Sequence, residues 1–304
     1  MNCLFLTRVI RQLRLASRVP PIYFLLLSVS STQIGAAIAK SLFDELGTAG
    51  TVFLRVGFAA LVLLLMWRPQ LKGYTHSNKF VLILFGLVLG GMNLCFYSAL
   101  ARIPLGIAVT LEFVGPLGVA IAGSRRLLDL LWVLLAAFGI VLLAPFGKAW
   151  LDPLGVALAL LAGSFWAAYI LLSARLGRAT PSGEGLAIAM FVAAAMLLPM
   201  GVLGGGVALL HPWILTKGFG VALLSSVLPY SLEFEALRRL PTQVFGVLMS
   251  MEPAIAAVVG FVILGEKLGV RAITAVLLVT MATLGASRFG TLEATKIRDE
   301  RKKG

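Results

Sequence analysis

Long apolar runs, separated by short polar or charged segments, follow one another along most of the chain. The runs are about 18 to 22 residues long. A helix of that length crosses the ~30 Å hydrocarbon core of a bilayer, because it rises about 1.5 Å per residue. The roughly ten-residue alternating segments typical of membrane β-barrels do not occur in the sequence. The pattern therefore predicts an all-α polytopic membrane protein with ten transmembrane helices, at 22–41, 50–67, 80–100, 105–123, 129–146, 154–173, 185–204, 217–237, 243–264 and 269–287.

The composition agrees with this prediction, because 60% of the 304 residues are hydrophobic and only 13% are charged. Soluble domains carry roughly a quarter charged residues, so one buried core does not account for so many apolar positions. A net charge of +13 would indicate a nucleic-acid-binding protein if the chain were soluble. In a membrane protein the excess reflects cationic cytoplasmic loops. The lipid bilayer is therefore an expected partner and nucleic acid is not.

The distribution of lysine and arginine predicts the orientation of the spans. With a cytoplasmic N-terminus, 19 of the 26 cationic residues lie in inside segments, six lie in outside segments and Arg55 lies within a span. Cationic residues concentrate on the cytoplasmic side of membrane proteins. We therefore expect both termini in the cytoplasm, which agrees with an even number of spans.

The two ends of the chain are basic and polar. Residues 1–21 form a basic N-terminal arm whose arginines are spread along it, unlike a cleavable signal with its apolar core. The arm is either a basic helix on the anionic inner leaflet or an unstructured or misassigned start. Residues 288–304 form a basic cytoplasmic tail.

The sequence contains no motif for cofactor or metal chemistry. Cys3 lies in the basic arm and Cys95 in an apolar run, so no disulfide framework is expected. His76 and His211 fall in predicted loops, which argues against a metal centre. Phosphate-binding loops, zinc-protease motifs and serine-hydrolase motifs are missing. The sequence therefore predicts neither a cofactor nor an enzyme activity.

An internal repeat relates the two halves of the chain. "ALARIP" at 99–104 and "ALRRLP" at 236–241 are offset by 137 residues, and the same offset aligns Pro116 with Pro253 without a gap. Each half, 22–146 and 154–287, has five predicted spans, so the second copy enters the membrane from the opposite side. Inverted repeats of this kind are typical of secondary transporters, whose substrate site lies near the midplane between the copies.

Two glutamates lie midway along apolar spans, and they are the leading candidates for the site. Glu112 stands four residues before Pro116 and Glu252 one residue before Pro253, so both project from a similar face of their copies. A charged carboxylate at mid-bilayer costs at least ~2.5 kcal/mol on insertion scales. We interpret the pair as contacts for a substrate ammonium group or as proton sites; a structural hydrogen bond to a neighbouring helix is the alternative.

Arg55 is a candidate for a substrate carboxylate, with snorkelling or a structural ion pair as the alternative. Other polar or amphipathic groups at mid-depth can line a cavity among apolar walls, and for each of them an interhelical hydrogen bond is the alternative. These further candidates are Asn93, Tyr97, Tyr230, Gln33, Trp166 and Tyr169.

Four more charged residues lie near predicted span ends. Lys40 is expected to anchor the interface or to close an outer gate. Glu233 and Glu235 are expected to pair with the arginines of the next turn, with Glu235 to Arg239 at the i,i+4 spacing. Glu266, at the turn between the last two spans, is expected to cap or pair locally.

Prolines and glycines mark special positions in the spans. Pro116 and Pro253 are predicted to kink their helices, and each frees an upstream carbonyl by removing a backbone donor. This carbonyl is either part of a polar site or the by-product of a packing kink. "GLVLG" at 86–90 and "GVLGG" at 201–205 permit close helix contacts.

Four stretches of the chain resemble a known family. "FLRVGFAALVLLL", "GGMNLCFYSALARIPLGIAVTLEFVGPLGVA", "LLAGSFWAAYILLSARLG" and "LPYSLEFEALRRLPTQVFGVLMSMEPAIAAVVGFVILGEKL" are similar to the two EamA repeats of the drug/metabolite transporter superfamily over about residues 22–287. "GIAVTLEFVGPL" and "LPTQVFGVLMSMEPA" resemble the bacterial threonine/homoserine exporter branch.

The resemblance implies a fold and a function. It implies two inverted five-helix repeats around a central cavity, in the bacterial inner (plasma) membrane. It also implies export of threonine-like and homoserine-like amino acids driven by the proton gradient, so the expected partners are a small amino acid and protons. The alternatives are export of cysteine derivatives, a cationic drug or a nucleobase, and from other classes a lipid scramblase or an intramembrane enzyme. We expect a monomer or a homodimer.

Overall fold

The structure is a computed structural model, and it describes residues 20–69, 75–122, 127–143, 151–176, 183–239, 245 and 248–285. Helices fill nearly all of this part of the chain, and no strand occurs in it. The basic N-terminal arm before residue 20 and the tail after residue 285 lie outside the described residues, so their predicted states stay predictions.

We number the helices in chain order. They are α1 (Pro21–Lys40), α2 (Phe43–Trp67), α3 (His76–Leu100), α4 (Leu105–Glu112), α5 (Val114–Ala122), α6 (Leu127–Leu143), α7 (Pro153–Leu176), α8 (Glu184–Gly205), α9 (Pro212–Ala222), α10 (Leu228–Arg239), α11 (Glu252–Leu264) and α12 (Val270–Gly285). A 3₁₀ segment, Gly206–Leu210, follows α8, and a π-helical segment, Leu223–Val227, joins α9 to α10.

Six helical stretches are long and apolar enough to cross a membrane: Ile22–Lys40, Phe43–Trp67, Asn78–Leu100, Pro153–Leu176, Glu184–Leu210 and Pro212–Glu233. Four shorter apolar helices lie at the other predicted spans: Leu105–Val119, Leu131–Leu142, Glu252–Leu264 and Val270–Gly285. The prediction of an all-helical polytopic membrane protein is therefore confirmed. The count of ten crossings stays a prediction, because four of these ten apolar stretches are shorter than a full span.

The main apolar core lies where α2 packs against α3 and α8. Leu46 and Leu63 of α2, Leu89 of α3, and Met190 and Leu197 of α8 are all buried there. On the outside, many large apolar side chains are exposed, with Leu203 at 86%. An apolar exterior around an apolar core is typical of a helix bundle in lipid.

Glycines of both small-residue patterns lie at tight helix contacts. A Cβ added at Gly86 of α3 would lie 2.5 Å from Cβ of Val192 on α8. A Cβ added at Gly201 of α8 would lie 2.3 Å from Cβ of Phe53 on α2. These distances are too short for real atoms, so α8 approaches both neighbours this closely only because glycine stands at these positions.

Three of the predicted spans are broken near their middles. The helix of span 4 ends at Glu112 and restarts at Val114 as α5. Span 8 contains the π-helical segment, and α11 of span 9 begins only at Glu252. Pro116 and Pro253 each lie in the first turn of the second segment. The N–H groups of a first turn have no acceptor within the helix, so a proline there costs no intrahelical hydrogen bond. The break therefore precedes each proline.

Candidate functional site

A cavity of about 520 Å³ lies between α1, α2, α3, α4, α5, α7, α10, α11 and α12. This volume is within the range of roughly 300–1,000 Å³ usual for ligand pockets. All nine residues that the sequence analysis proposed for substrate or proton binding contribute to its wall: Gln33, Arg55, Asn93, Tyr97, Glu112, Trp166, Tyr169, Tyr230 and Glu252. Pro116 also lines the cavity, whereas Pro253 is buried behind it.

Glu252 and Gln33 meet across the cavity. The amide nitrogen Nε2 of Gln33 donates a hydrogen bond to Oε1 of Glu252 at 2.9 Å. Both residues are buried, yet Oε2 of Glu252 and Oε1 of Gln33 have no hydrogen-bond partner among the residues that the structure describes. An unpaired buried acceptor is costly, so these two oxygens form a place where a ligand donor would be stabilised.

Glu112 lies at the break between α4 and α5. Its backbone carbonyl is the one that would accept from residue 116 in a continuous helix, and Pro116 has no N–H to donate. A Cβ added at Gly163 of α7 would lie 2.5 Å from this carbonyl oxygen, and one added at Gly115 would lie 1.8 Å from the carbonyl oxygen of Gly163. The backbones of α5 and α7 therefore touch at Gly115 and Gly163.

The side chain of Glu112 is 8% exposed and lines the cavity. We find no hydrogen bond to its carboxylate from any residue in the described ranges. The carboxylate therefore faces the cavity without a protein partner from this part of the chain.

Arg55 is held by two neighbouring elements. Its Nη1 donates to Oδ1 of Asn93 and its Nη2 donates to the backbone carbonyl of Ser225 at 3.0 Å. Pro229 frees this carbonyl because it has no N–H at the i+4 position. The guanidinium carbon also lies 5.1 Å from the centre of the Tyr97 ring, within range of a cation–π contact.

The charge of Arg55 is not paired with a carboxylate among the residues that the structure describes. Its side chain is buried at 8% exposure, so it did not snorkel to an interface. A buried guanidinium with neutral partners alone retains a positive charge that an anionic ligand group can neutralise. This arrangement favours the carboxylate-binding interpretation of Arg55 over a structural ion pair.

Aromatic rings form the apolar walls of the cavity. The ring of Trp166 meets that of Phe113 edge-on, with centroids 4.8 Å apart. The ring of Tyr169 stacks on Phe85 with a centroid distance of 5.0 Å. Tyr230 lines the cavity from α10. The walls are thus packed in fixed positions around a small number of polar groups, as in other small-molecule sites.

Glu233 is a cavity residue that the sequence analysis did not assign to the site. It lines the cavity and accepts a hydrogen bond from Oγ of Ser28 at 2.7 Å. Its expected pairing with an arginine near the end of α10 stays a prediction, because those arginine side chains lie outside the described ones. Glu233 stands one helical turn after Tyr230, and this i,i+3 spacing was the signal that places both on one face. The predicted Glu235–Arg239 pair lies outside the described side chains.

Lys40, Glu266 and Leu105 connect three helices at one end of the bundle. Nζ of Lys40, at the end of α1, lies 2.7 Å from Oε1 of Glu266, which follows α11. Oε2 of Glu266 accepts from the backbone N–H of Leu105, the first residue of α4, at 2.8 Å. The expectation that Glu266 pairs locally is therefore wrong, because both partners are more than 160 residues away in sequence.

Two further ion pairs lie at predicted outer loops. Arg102 and Asp152 join α3 to α7 at 2.7 Å, and the hydrogen bond from Arg102 lowers the pKa of the Asp152 carboxyl below its usual value. Lys217 lies 3.7 Å from Glu45, joining α9 to α2. Both pairs are more exposed than Lys40–Glu266, so each contributes less to holding the helices together.

Comparison with known proteins agrees with this geometry. The profile of the EamA-like transporter family matches residues 153–288. The threonine/homoserine exporter RhtA of Salmonella typhimurium strain SL1344 is 45% identical over 269 residues, which cover 88% of this chain and 91% of the relative. RhtA of Escherichia coli strain K12 is 44% identical over 273 residues, which cover 89% and 90%.

A solved crystal structure shares the fold. It matches with a TM-score of 0.54 at 17% identity, over 90% of this chain and 98% of the other. At this level of identity the likeness concerns the fold alone.

Long apolar helices around an internal cavity with apolar walls and a few charged and polar groups are typical of a multi-pass membrane protein that moves a small molecule across the bilayer. The chain belongs to the EamA-like transporter family. Its relatives are transporters rather than enzymes.

Proposed function

We propose that the protein exports small amino acids of the threonine and homoserine type, that the proton gradient drives this export, and that it works by alternating access. The observation that carries the proposal is the cavity in which Glu112, Glu252 and Arg55 meet. Its relatives at 44–45% identity are named threonine/homoserine exporters. In this proposal the protein lies in the bacterial inner membrane with both termini in the cytoplasm.

The charges in the cavity match the two ends of a zwitterion. Glu112 and Glu252 accept the substrate ammonium group, because neither carboxylate has a cationic partner among the described residues. Arg55 receives the substrate carboxylate through its uncompensated charge. The unpartnered oxygens of Gln33 and Glu252 accept from the ammonium group or from a substrate hydroxyl. Charged ligand groups in a site shielded from water gain more from such contacts than they would in bulk solvent.

Proton coupling is assigned to the same carboxylates. A glutamate that holds the ammonium group in its charged form can take up a proton when the substrate leaves, so each site exchanges one positive species for the other. Intramembrane carboxylates frequently serve as such proton sites.

Alternating access follows from the inverted repeat in this proposal. The family profile matches 153–288, which is within one residue of the second predicted five-helix unit at each end. The broken helices around Glu112 and Glu252 support a site between two such units, as in other transporters with discontinuous spans. The cavity extends from Gln33 to Ser173 and Glu233, towards the helix ends for which the charge distribution predicts a cytoplasmic position. In this proposal the structure therefore corresponds to an inward-open state.

The contact of Lys40 with Glu266 keeps the outer end closed in this state. It joins α1, α4 and the end of α11, which carry Gln33, Glu112 and Glu252 respectively. We expect Lys40→Gln to raise the labelling rate of a single cysteine at position 36 by externally added thiol reagent about tenfold, in a background lacking Cys3 and Cys95. The factor corresponds to losing roughly 1.4 kcal/mol from a partly buried charge-assisted pair.

The matched control is Arg102→Gln, which breaks a more exposed ion pair, with Asp152, and leaves the contact between Lys40 and Glu266 intact. Its labelling rate is expected to stay within about twofold of the parent, as exposed ion pairs contribute little. Equal labelling rates for the Lys40 and Arg102 variants would show that the Lys40–Glu266 contact is not an outer gate.

Transport in proteoliposomes tests the proposed function directly. Vesicles loaded with labelled threonine or homoserine are expected to lose it faster when a pH gradient is imposed in the direction that the exporter uses. Empty vesicles without the protein set the background rate. If the protein does not change the rate of release of either amino acid, this substrate class is ruled out. If the rate of release is the same with and without the pH gradient, proton coupling is ruled out.

A further inference from the structure

The described wall of the cavity carries more negative than positive groups. Three carboxylates line it, those of Glu112, Glu233 and Glu252, against the single guanidinium of Arg55. A zwitterion brings one ammonium group and one carboxylate, so its net charge is zero and the excess of negative groups in the cavity stays the same. A site with this excess of carboxylates has room for a second cationic group on its ligand.

Glu233 is placed to receive such a group. Oε1 accepts from Ser28 at 2.7 Å, and no lysine or arginine of the described chain lies within ion-pair distance of the carboxylate. The hydroxyl of Ser28 also contacts the carbonyl of Pro229, at 3.4 Å, which fixes the orientation of the serine and so of the carboxylate. Glu233 lies about 4.5 Å along the helix axis from Tyr230, three residues away, and both residues line the cavity.

Two acceptor oxygens without a hydrogen-bond partner in the described residues also favour a ligand that carries hydrogen-bond donors. Glu252, 7% exposed, and Gln33, 2% exposed, line the same cavity, and Oε2 of Glu252 and Oε1 of Gln33 have no hydrogen-bond partner within the described part of the chain. Buried acceptors are stabilised by ligands that carry several N–H donors. An ammonium group carries three and accepts none, so it matches a wall of acceptors better than a hydroxyl does.

We propose that Glu233 is a second ammonium-binding site of the cavity, and that the transporter accepts diamino acids whose side-chain ammonium group pairs with Glu233. This inference rests on the proposed function, since the α-ammonium and α-carboxylate groups bind at Glu112, Glu252 and Arg55. It extends the substrate class from neutral hydroxy amino acids to cationic ones.

A matched pair of ligands tests the inference. 2,4-Diaminobutyrate is homoserine with its hydroxyl replaced by an ammonium group, so the two differ only at the group that would meet Glu233. Labelled homoserine transport by the full chain in proteoliposomes is measured against increasing 2,4-diaminobutyrate, ornithine and lysine, which extend the side chain stepwise. We expect at least one of these diamino acids to inhibit as strongly as unlabelled homoserine.

Glu233→Gln is expected to raise the inhibition constant of the best diamino acid about tenfold, the loss of one charge-assisted hydrogen bond. The KM for homoserine is expected to change less than about twofold. Glu233→Asp keeps the charge on a side chain one methylene shorter, so the preferred diamino acid should become one methylene longer. This second variant provides a test that does not depend on the folding of the first.

Two outcomes would overturn the inference while leaving the proposed function intact. One is homoserine transport that no diamino acid inhibits at tenfold the homoserine KM. The other is a Glu233→Gln variant in which the constants for homoserine and for diamino acids rise by the same factor. A wild-type protein that does not transport homoserine at all would overturn the proposed function, and the inference with it.

Discussion

Efflux of threonine and homoserine is expected to fall by about 10- to 100-fold when Glu112 or Glu252 is replaced by glutamine. Glutamine has nearly the same shape and removes only the negative charge, so the variant loses a charge-assisted contact worth ~1.5–3 kcal/mol. Release from loaded proteoliposomes measures the effect. Two assays separate the roles: a raised KM with retained pH dependence indicates an ammonium site, whereas intact exchange without pH-driven efflux indicates a proton site.

Glu45→Gln is the control for these two variants. Glu45 is a glutamate on α2 that lies outside the cavity, and its contact with Lys217 is exposed. The Glu45→Gln variant makes the same chemical change as the other two variants, yet its efflux should remain near the wild-type rate. If Glu112→Gln and Glu252→Gln also export at that rate with unchanged pH dependence, then neither carboxylate binds the ammonium group or the coupling proton.

Gly115→Ala is expected to lower both the amount of folded protein and its thermal stability. The added Cβ would lie 1.8 Å from the carbonyl oxygen of Gly163, so the backbones of α5 and α7 have to separate. Overpacking of this kind typically costs 1–3 kcal/mol, and more where backbone is the obstacle. Fluorescence-detected size exclusion of heated, detergent-solubilised protein measures the shift in melting temperature.

Gly118→Ala is the matched control, because it lies on the same short helix and nothing lies within 4 Å of its added Cβ. Its melting temperature should equal that of the wild type or exceed it slightly, since alanine favours helix over glycine by ~1 kcal/mol. A Gly115→Ala variant as stable as Gly118→Ala would contradict the close contact of α5 with α7.

Much of the bundle could be predicted because span length and apolar composition act locally along the chain. Helices lie at all ten predicted ranges, and the six long ones satisfy length and hydropathy together. The helix breaks were less accessible to sequence reasoning. Proline identifies the turn where intrahelical bonding is lost, but Phe113, where α4 ends, carries no signal of its own. The π-helical segment at Leu223–Val227 was not predicted at all.

The candidate residues were found because charge is rare in apolar spans, whereas their partners depend on tertiary contacts. Glu252 and Gln33 are 219 residues apart in sequence, and Lys40 and Glu266 are 226 apart. Nothing along the chain relates such positions. Glu233 was not assigned to the site for a related reason: the nearby Arg238 and Arg239 offered a local explanation, while its hydrogen-bond donor Ser28 lies on the first helix.

The contact between Gly115 and Gly163 has a mechanical consequence. Side-chain contacts between helices can adjust by changing rotamers, but a contact between two backbones has no such freedom. The separation of α5 and α7 at this point is therefore set by van der Waals radii alone, and Glu112 lies beside it. Any movement that opens and closes the cavity while keeping this contact must turn α4 and α5 about it like a lever on a fulcrum, so their far ends travel furthest and the carboxylate travels least.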